Sequence, residues 1–311
     1  MALTETLQFA GTMFSGAMRI AIPICFGALG STICERAGIV NIGIEGMMLA
    51  GSFGGVVGAL VTGSPWIGLL FAMVAGMLFS LLHGVLTIHY GTGHIISGLG
   101  VNLLASGVTT VLLVAIWQNR GKSEMVGTLP TIELTFLKKI PFIGQAFGSF
   151  SPLFLLLLAA VALLWVFLYK TTFGLRARIV GESPQTADAA GISVPKMQYI
   201  CVLLCGLLCG LGGAYLSIGD IGMFSRDMVA GRGYIAMAVT IFGAWNPIGA
   251  LGGGLLFGLA QSLQFRLQQS GIPVQLIQML PYVITILVLL LVRRKGGGPA
   301  AAGKTFDREK H

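Results

Sequence analysis

Residues 170–196 read KTTFGLRARIVGESPQTADAAGISVPK, a polar stretch set between two long apolar runs. Ser183 is a good N-cap, Pro184 suits the first helical position, where its missing N–H leaves no bond unmade, and Gly191 suits a left-handed stop. A helix of roughly two turns is predicted. A helix that short is marginal alone in water, so packing against membrane helices or a partner protein must hold it. The stretch reads as a docking element carried on the cytoplasmic side of a membrane protein.

The rest of the chain supplies the membrane. Hydrophobic residues make up 55% and charged residues 10% of 311, and mean hydropathy is +0.88, where soluble domains carry roughly 25% charged residues. Apolar runs of about 15–25 residues recur, long enough to cross a hydrocarbon core about 30 Å thick as helices, which excludes a barrel of ten-residue alternating strands. The fold class expected is all-α, a polytopic helix bundle. The net charge of +8 would suggest nucleic acid in a soluble chain. Here Arg293, Arg294, Lys295, Lys304, Arg308 and Lys310 crowd one end, which reads as positive-inside topology, with no nucleic-acid partner.

Spans are predicted at 17–34, 42–62, 66–88, 95–117, 152–169, 198–218, 232–245, 248–268 and 275–292. That makes nine, with eight or ten if segment 1–16 or the Pro23 region behaves differently. The loop 170–197 and the tail from Arg293 are placed in the cytoplasm by their Lys and Arg. Working backward, 118–151 and the N-terminus lie outside. No Lys or Arg precedes Arg19 and no cleavage site follows a short apolar core, so the first run is expected to be retained. A transmembrane domain is drawn at 1–295, with the loop 170–197 on its cytoplasmic side, and a disordered cytoplasmic tail at 296–311.

Several motifs have a plain reading. Residues 298–305, GPAAAGKT, match a phosphate-binding loop letter for letter, but no strand leads in and only six residues follow, so the match is rejected and any ATP dependence must come from a partner. Cys201, Cys205 and Cys209 fall on one helical stripe as ordinary small apolar residues. His83, His89, His94 and His311 are scattered, so no metal and no cofactor are expected. Of 46 glycines, pairs at 54/58, 206/210, 249/253 and 254/258 have the spacing that lets helices approach closely in lipid.

Polar groups at membrane depth are costly and face cavities or partners. Glu35 and Arg36 suit an interface position. Asn41 and Glu45, flanked by Gly43 and Gly46, suggest a broken helix lining a path. Asn102 either bridges helices or meets solute, and Trp245 is an interfacial anchor or a wall of the path. The stretch 219–233, GDIGMFSRDMVAGRG, reads as an outer loop with internal ion pairs, or as a surface for a delivery protein.

Three pieces, ERAGIVNIGIEGMM at 35–48, FGLRARIVGESPQTADAAGI at 173–192 and GRGYIAMAVTIFGAWNPIGALGGGLLFG at 231–258, resemble in order and spacing the permease subunits of ATP-binding-cassette importers. The resemblance runs from about Arg19 to Arg294 and lies in the ribose and simple-sugar permease family, nearest its nucleoside branch. It implies two permease subunits, identical or different, two cytoplasmic ATPase domains and an extracytoplasmic substrate-binding protein. It also implies that Gly181–Gly191 is the coupling helix, with Gly181, Glu182 and Gly191 framing contacts from Ser183, Pro184, Gln185, Thr186, Asp188 and Ala189. The expected function is ATP-driven uptake of a neutral polar solute, a nucleoside before a simple sugar, with no chemistry on the solute. An ion-coupled secondary transporter is the alternative of another class, for which Glu45 is the one candidate proton carrier.

Overall fold

The computed structural model describes residues 2–133, 144–145, 148–268, 274–279, 283–284, 286, 298–304 and 306. Among these, seven helices are long and apolar enough to cross a membrane. They lie in α1 (Ala2–Arg36), α2 (Ile44–Thr62), α3 (Pro65–Gly84, continued by a π-turn to His89), α4 (His94–Trp117), α5 (Pro152–Lys170), α8 (Val194–Ala214, continued by a π-turn to Ile221) and α10 (Pro247–Leu267). Shorter helices are α6 (Thr172–Glu182), α7 (Pro184–Ala189), α9 (Arg232–Phe242) and α11 (Val274–Gln278), and one small hairpin pairs β1 (Ile132–Glu133) with β2 (Ser149–Phe150).

A polar residue followed by proline starts helix after helix: Ser64-Pro65, Ser151-Pro152, Ser183-Pro184 and Asn246-Pro247. The Asn246 side-chain oxygen accepts the Ile248 N–H at 2.9 Å. Each proline removes one orphan donor, and at Ser151, Ser183 and Asn246 the side chain answers another, while Ser64 makes no such bond. α1 runs through Pro23 without a break, as prolines inside buried membrane helices do when neighbouring groups satisfy the freed carbonyl.

The bundle has an inner and an outer layer. In α1, 89% of the apolar span is buried, against 22% in α4 and 28% in α5. α1 packs on α8, α9 and α10, while α2, α3 and α8 form a second tight group. Glycine makes the contacts: a methyl at Gly76 would land on the Gly206 carbonyl, one at Gly210 on Ala72, and one at Gly213 on the Met48 carbonyl. The 54/58 pair packs on α3 and the 254/258 pair on α1.

Two expectations change. The span predicted at 232–245 is only the 11-residue α9, about 16 Å long, because Ala244 and Trp245 turn the chain with φ of 53° and 52°. The stretch 298–304, expected within a disordered tail, has a defined place described below. The predicted span 275–292 lies mostly outside the described residues. The two ends of α1 lie apart: Arg36 at its end meets Gly181, while its early residues Thr12 and Met13 meet Arg266 and Ser262 at the far end of α10.

Candidate functional site

α6, a helix not anticipated from the sequence, carries the docking segment. Thr171 caps it, its hydroxyl accepting the Gly174 N–H at 3.1 Å. Gly174 lies against the backbone of Phe167 and Leu168, where a methyl would not fit. Its buried stripe is Gly174, Ala177, Val180 and Gly181, and Gly181 abuts the Arg36 carbonyl. α7 follows with Ser183 as its cap. The Ser183 hydroxyl accepts the Thr186 N–H at 3.3 Å and pairs with the Thr186 hydroxyl at 2.8 Å. Gly191 closes it at φ 77°, with Ile192 N–H donating to the Ala187 carbonyl at 2.9 Å.

The knob has two faces. Glu182, Gln185, Thr186, Ala189 and Gly191 are exposed, Ser183 and Asp188 half-buried, Pro184 and Ala187 buried. Pro184, expected among the contacts, is therefore turned inward.

The tail clasps the root of this knob. Ala301 N–H donates to the Gly181 carbonyl at 3.0 Å, Gly303 N–H to the Gly38 carbonyl at 3.0 Å, and Ala300 N–H to the Glu182 carboxylate at 3.2 Å. Three N–H groups of the GPAAAGKT stretch are thus committed to protein acceptors. Gly298 lies against the Trp245 ring. Trp245 is itself a corner lock: its indole N–H donates to Glu35 at 2.5 Å, while Arg36 donates to the Trp245 and Ala244 carbonyls at 2.9 and 3.3 Å. Expected as an anchor or path wall, it joins the α9–α10 corner to the end of α1.

Asn41 is also internal. It is fully buried, its amide pointing at the sulfurs of Met47 and Cys205, each at 3.3 Å, while its oxygen accepts the Gly43 N–H at 2.9 Å. Two histidines that looked scattered meet around the same loop: His94 Nδ1 accepts the Val40 N–H at 3.0 Å, and His83 Nε2 lies 3.2 Å from the Val40 carbonyl. Their positions on either side of the α3–α4 bend were the available signal.

Glu45 and Asn102 hold two helix starts together. The Glu45 carboxylate accepts the Gly231 and Gly233 N–H groups, each at 2.7 Å, capping α9 where orphan donors and the helix dipole favour a negative group. Asn102 accepts the Gly46 N–H at 2.7 Å and donates to the Ile42 carbonyl and the Tyr234 hydroxyl at 3.0 and 3.1 Å. Glu45→Ala is expected to leave two donors unpaired, at about 1–3 kcal/mol each. A lowered melting temperature in detergent, with partial rescue by Glu45→Gln, checks this.

The family description that matches residues 13–289 is that of a branched-chain amino acid transport system permease component. The chain belongs to this permease family. It is 39% identical, over the full length of both chains, to the nucleoside ABC transporter permease protein NupC of Lactococcus lactis subsp. cremoris. It is 37% identical to the guanosine ABC transporter permease protein NupQ of Bacillus subtilis, over 98% of this chain and 99% of that one. A putative glucose ABC transporter permease, TsgC13 of Haloferax volcanii, is 32% identical over 97% and 99%. The chain is accordingly a multi-pass permease subunit of an ABC transporter in a bacterial-type inner membrane, a transport component rather than an enzyme. Permeases of this family work with an ATPase and a substrate-binding protein.

Proposed function

We propose that this permease imports nucleosides along a path between itself and a second permease subunit, identical or different, receiving solute from an extracytoplasmic binding protein. The observation that carries the reading is full-length similarity to two permeases named for nucleosides and guanosine. Closure of the partner ATPase pushes the exposed face of α7, and the push reaches α1 through Gly181 and Arg36, and the α9–α10 corner through Arg36 and Trp245. Glu45 and Asn102, at the starts of α2 and α9, are the path-side groups of the four first considered; Asn41 and Trp245 support them from within.

The relative named for glucose favours a sugar as the second reading. Uptake of labelled adenosine, guanosine, ribose and glucose by cells carrying the complete transporter separates the two. Saturable, ATP-dependent uptake of the nucleosides, not competed by excess ribose or glucose, is expected. Uptake of a sugar alone overturns the nucleoside reading.

A further inference from the structure

The loop between α8 and α9 does not stay at the membrane surface. At its start, Val126 N–H donates to the Gly222 carbonyl at 2.8 Å, and Arg226 N–H to the Gly121 carbonyl at 2.9 Å, tying it to the segment that follows α4. Its next residue reaches down to α4 itself: Asp227 accepts the Ser106 hydroxyl at 2.9 Å. Ser106 is the thirteenth of 24 residues in α4, so this carboxylate lies near half depth of the span.

Yet it is open. Arg226 and Asp227, 3.5 Å apart, have side chains 57% and 58% exposed. One turn along the same face, about 6 Å away, Asn102 holds the hydroxyl of Tyr234, a residue 46% exposed. Charges exposed at that depth do not face hydrocarbon; they face a water-filled cavity or a polar partner. The backbone is consistent with a built site, since Asp227 and Ala230 both adopt φ 51°, within five residues of Gly231 at 83°. Left-handed backbone at non-glycine residues is held only where the surroundings enforce it, and it gathers at ligand sites. Enforcement is visible in Glu45 gripping Gly231 and Gly233, and in Arg232 donating back to the Met228 and Val229 carbonyls at 3.1 and 3.0 Å.

We propose that Asp227 and Tyr234 form a nucleoside subsite near half depth of the path, Asp227 taking the ribose diol and Tyr234 the base. The assignment rests on the nucleoside reading above. A carboxylate offers several acceptor sites to the 2′- and 3′-hydroxyls, and charge-assisted bonds of this kind are the strong ones. The Tyr234 ring offers a face for stacking. Its hydroxyl accepts from Asn102, and its own proton has no acceptor among the described residues, so it can donate to a ring nitrogen or carbonyl. Their α4 anchors, Ser106 and Asn102, stand about one helical turn apart on one face, so both groups are presented on the same side of that helix.

The test compares uptake of labelled adenosine and 2′,3′-dideoxyadenosine by the complete transporter with Asp227→Asn, Tyr234→Phe and Tyr234→Ala. Asp227→Asn is expected to lower uptake efficiency for adenosine about tenfold, the value of a hydrogen bond to a charged group, and to change the dideoxy analogue less than about twofold. Tyr234→Phe keeps the stacking face and is expected to alter the ratio of adenosine to guanosine uptake, while Tyr234→Ala weakens both nucleosides. Equal loss of both adenosine compounds in Asp227→Asn, or no change in either, overturns the subsite and leaves nucleoside import standing. A wild-type transporter that imports no nucleoside overturns both.

Discussion

Deletion of Gln185–Ala189, or Ser183→Trp, is expected to reduce ATP-driven uptake to background while the membrane bundle still assembles. The reason is geometric. α7 buries only Pro184 and Ala187, whereas its outward face of Gln185, Thr186 and Ala189 is the part available to a cytoplasmic partner. Losing the central contacts of a small interface costs about 2 kcal/mol or more, which weakens ATPase binding about thirtyfold. Ser183→Trp acts differently: it removes the cap on the Thr186 N–H and drives an indole into a half-buried site. Pull-down of the ATPase subunit and vesicle uptake are the measurements. Normal transport by either variant removes α7 from the coupling role. Thr186→Ala, which leaves Ser183 in place as the cap, should have a much smaller effect.

The second large effect is predicted in the glycine seam. Gly210→Val places a branched side chain where even a methyl meets the Ala72 carbonyl, and where Gly51 of α2 approaches Gly210 at 2.6 Å from its would-be Cβ. Three backbones must separate. Overpacking of this kind costs about 3 kcal/mol or more, without any hydrophobic gain in lipid to offset it. The expected result is a collapse in the yield of monodisperse protein and a large drop in melting temperature. Gly252→Ala is the control, because nothing lies within 4 Å of a methyl there and alanine favours the helix by about 1 kcal/mol. Equal behaviour of the two variants would sink the close-packing argument.

How much of this could be read in advance depended on the range of each interaction. The cap, the proline and the left-handed stop of α7 are local, and Ser183, Pro184 and Gly191 do in the structure what their chemistry suggests. α6 was invisible because its buried stripe is built from Gly174, Ala177, Val180 and Gly181, too small and too weakly apolar to draw a helical period. Asn41 was misleading: an amide between glycines looks like a path lining, yet it is folded back on two sulfurs. Asp227 was misleading the other way, since a polar loop after a long span looks like an outer loop until Ser106 shows where it dips. Glu45 signalled its importance by depth alone; its partners lie 186 and 188 residues away.

The clasp formed by residues 298–304 leaves little trace in its own residues, because on its side it works through backbone N–H groups, with the Glu182 carboxylate and the Trp245 ring as distant partners. That clasp also orders events during biosynthesis. Gly38, Gly181 and Trp245 all leave the ribosome before the segment that fastens them together. Until residues 298–304 have been made, the Gly38 and Gly181 carbonyls and the Glu182 carboxylate lack these donors, so the root of α7 is fastened late.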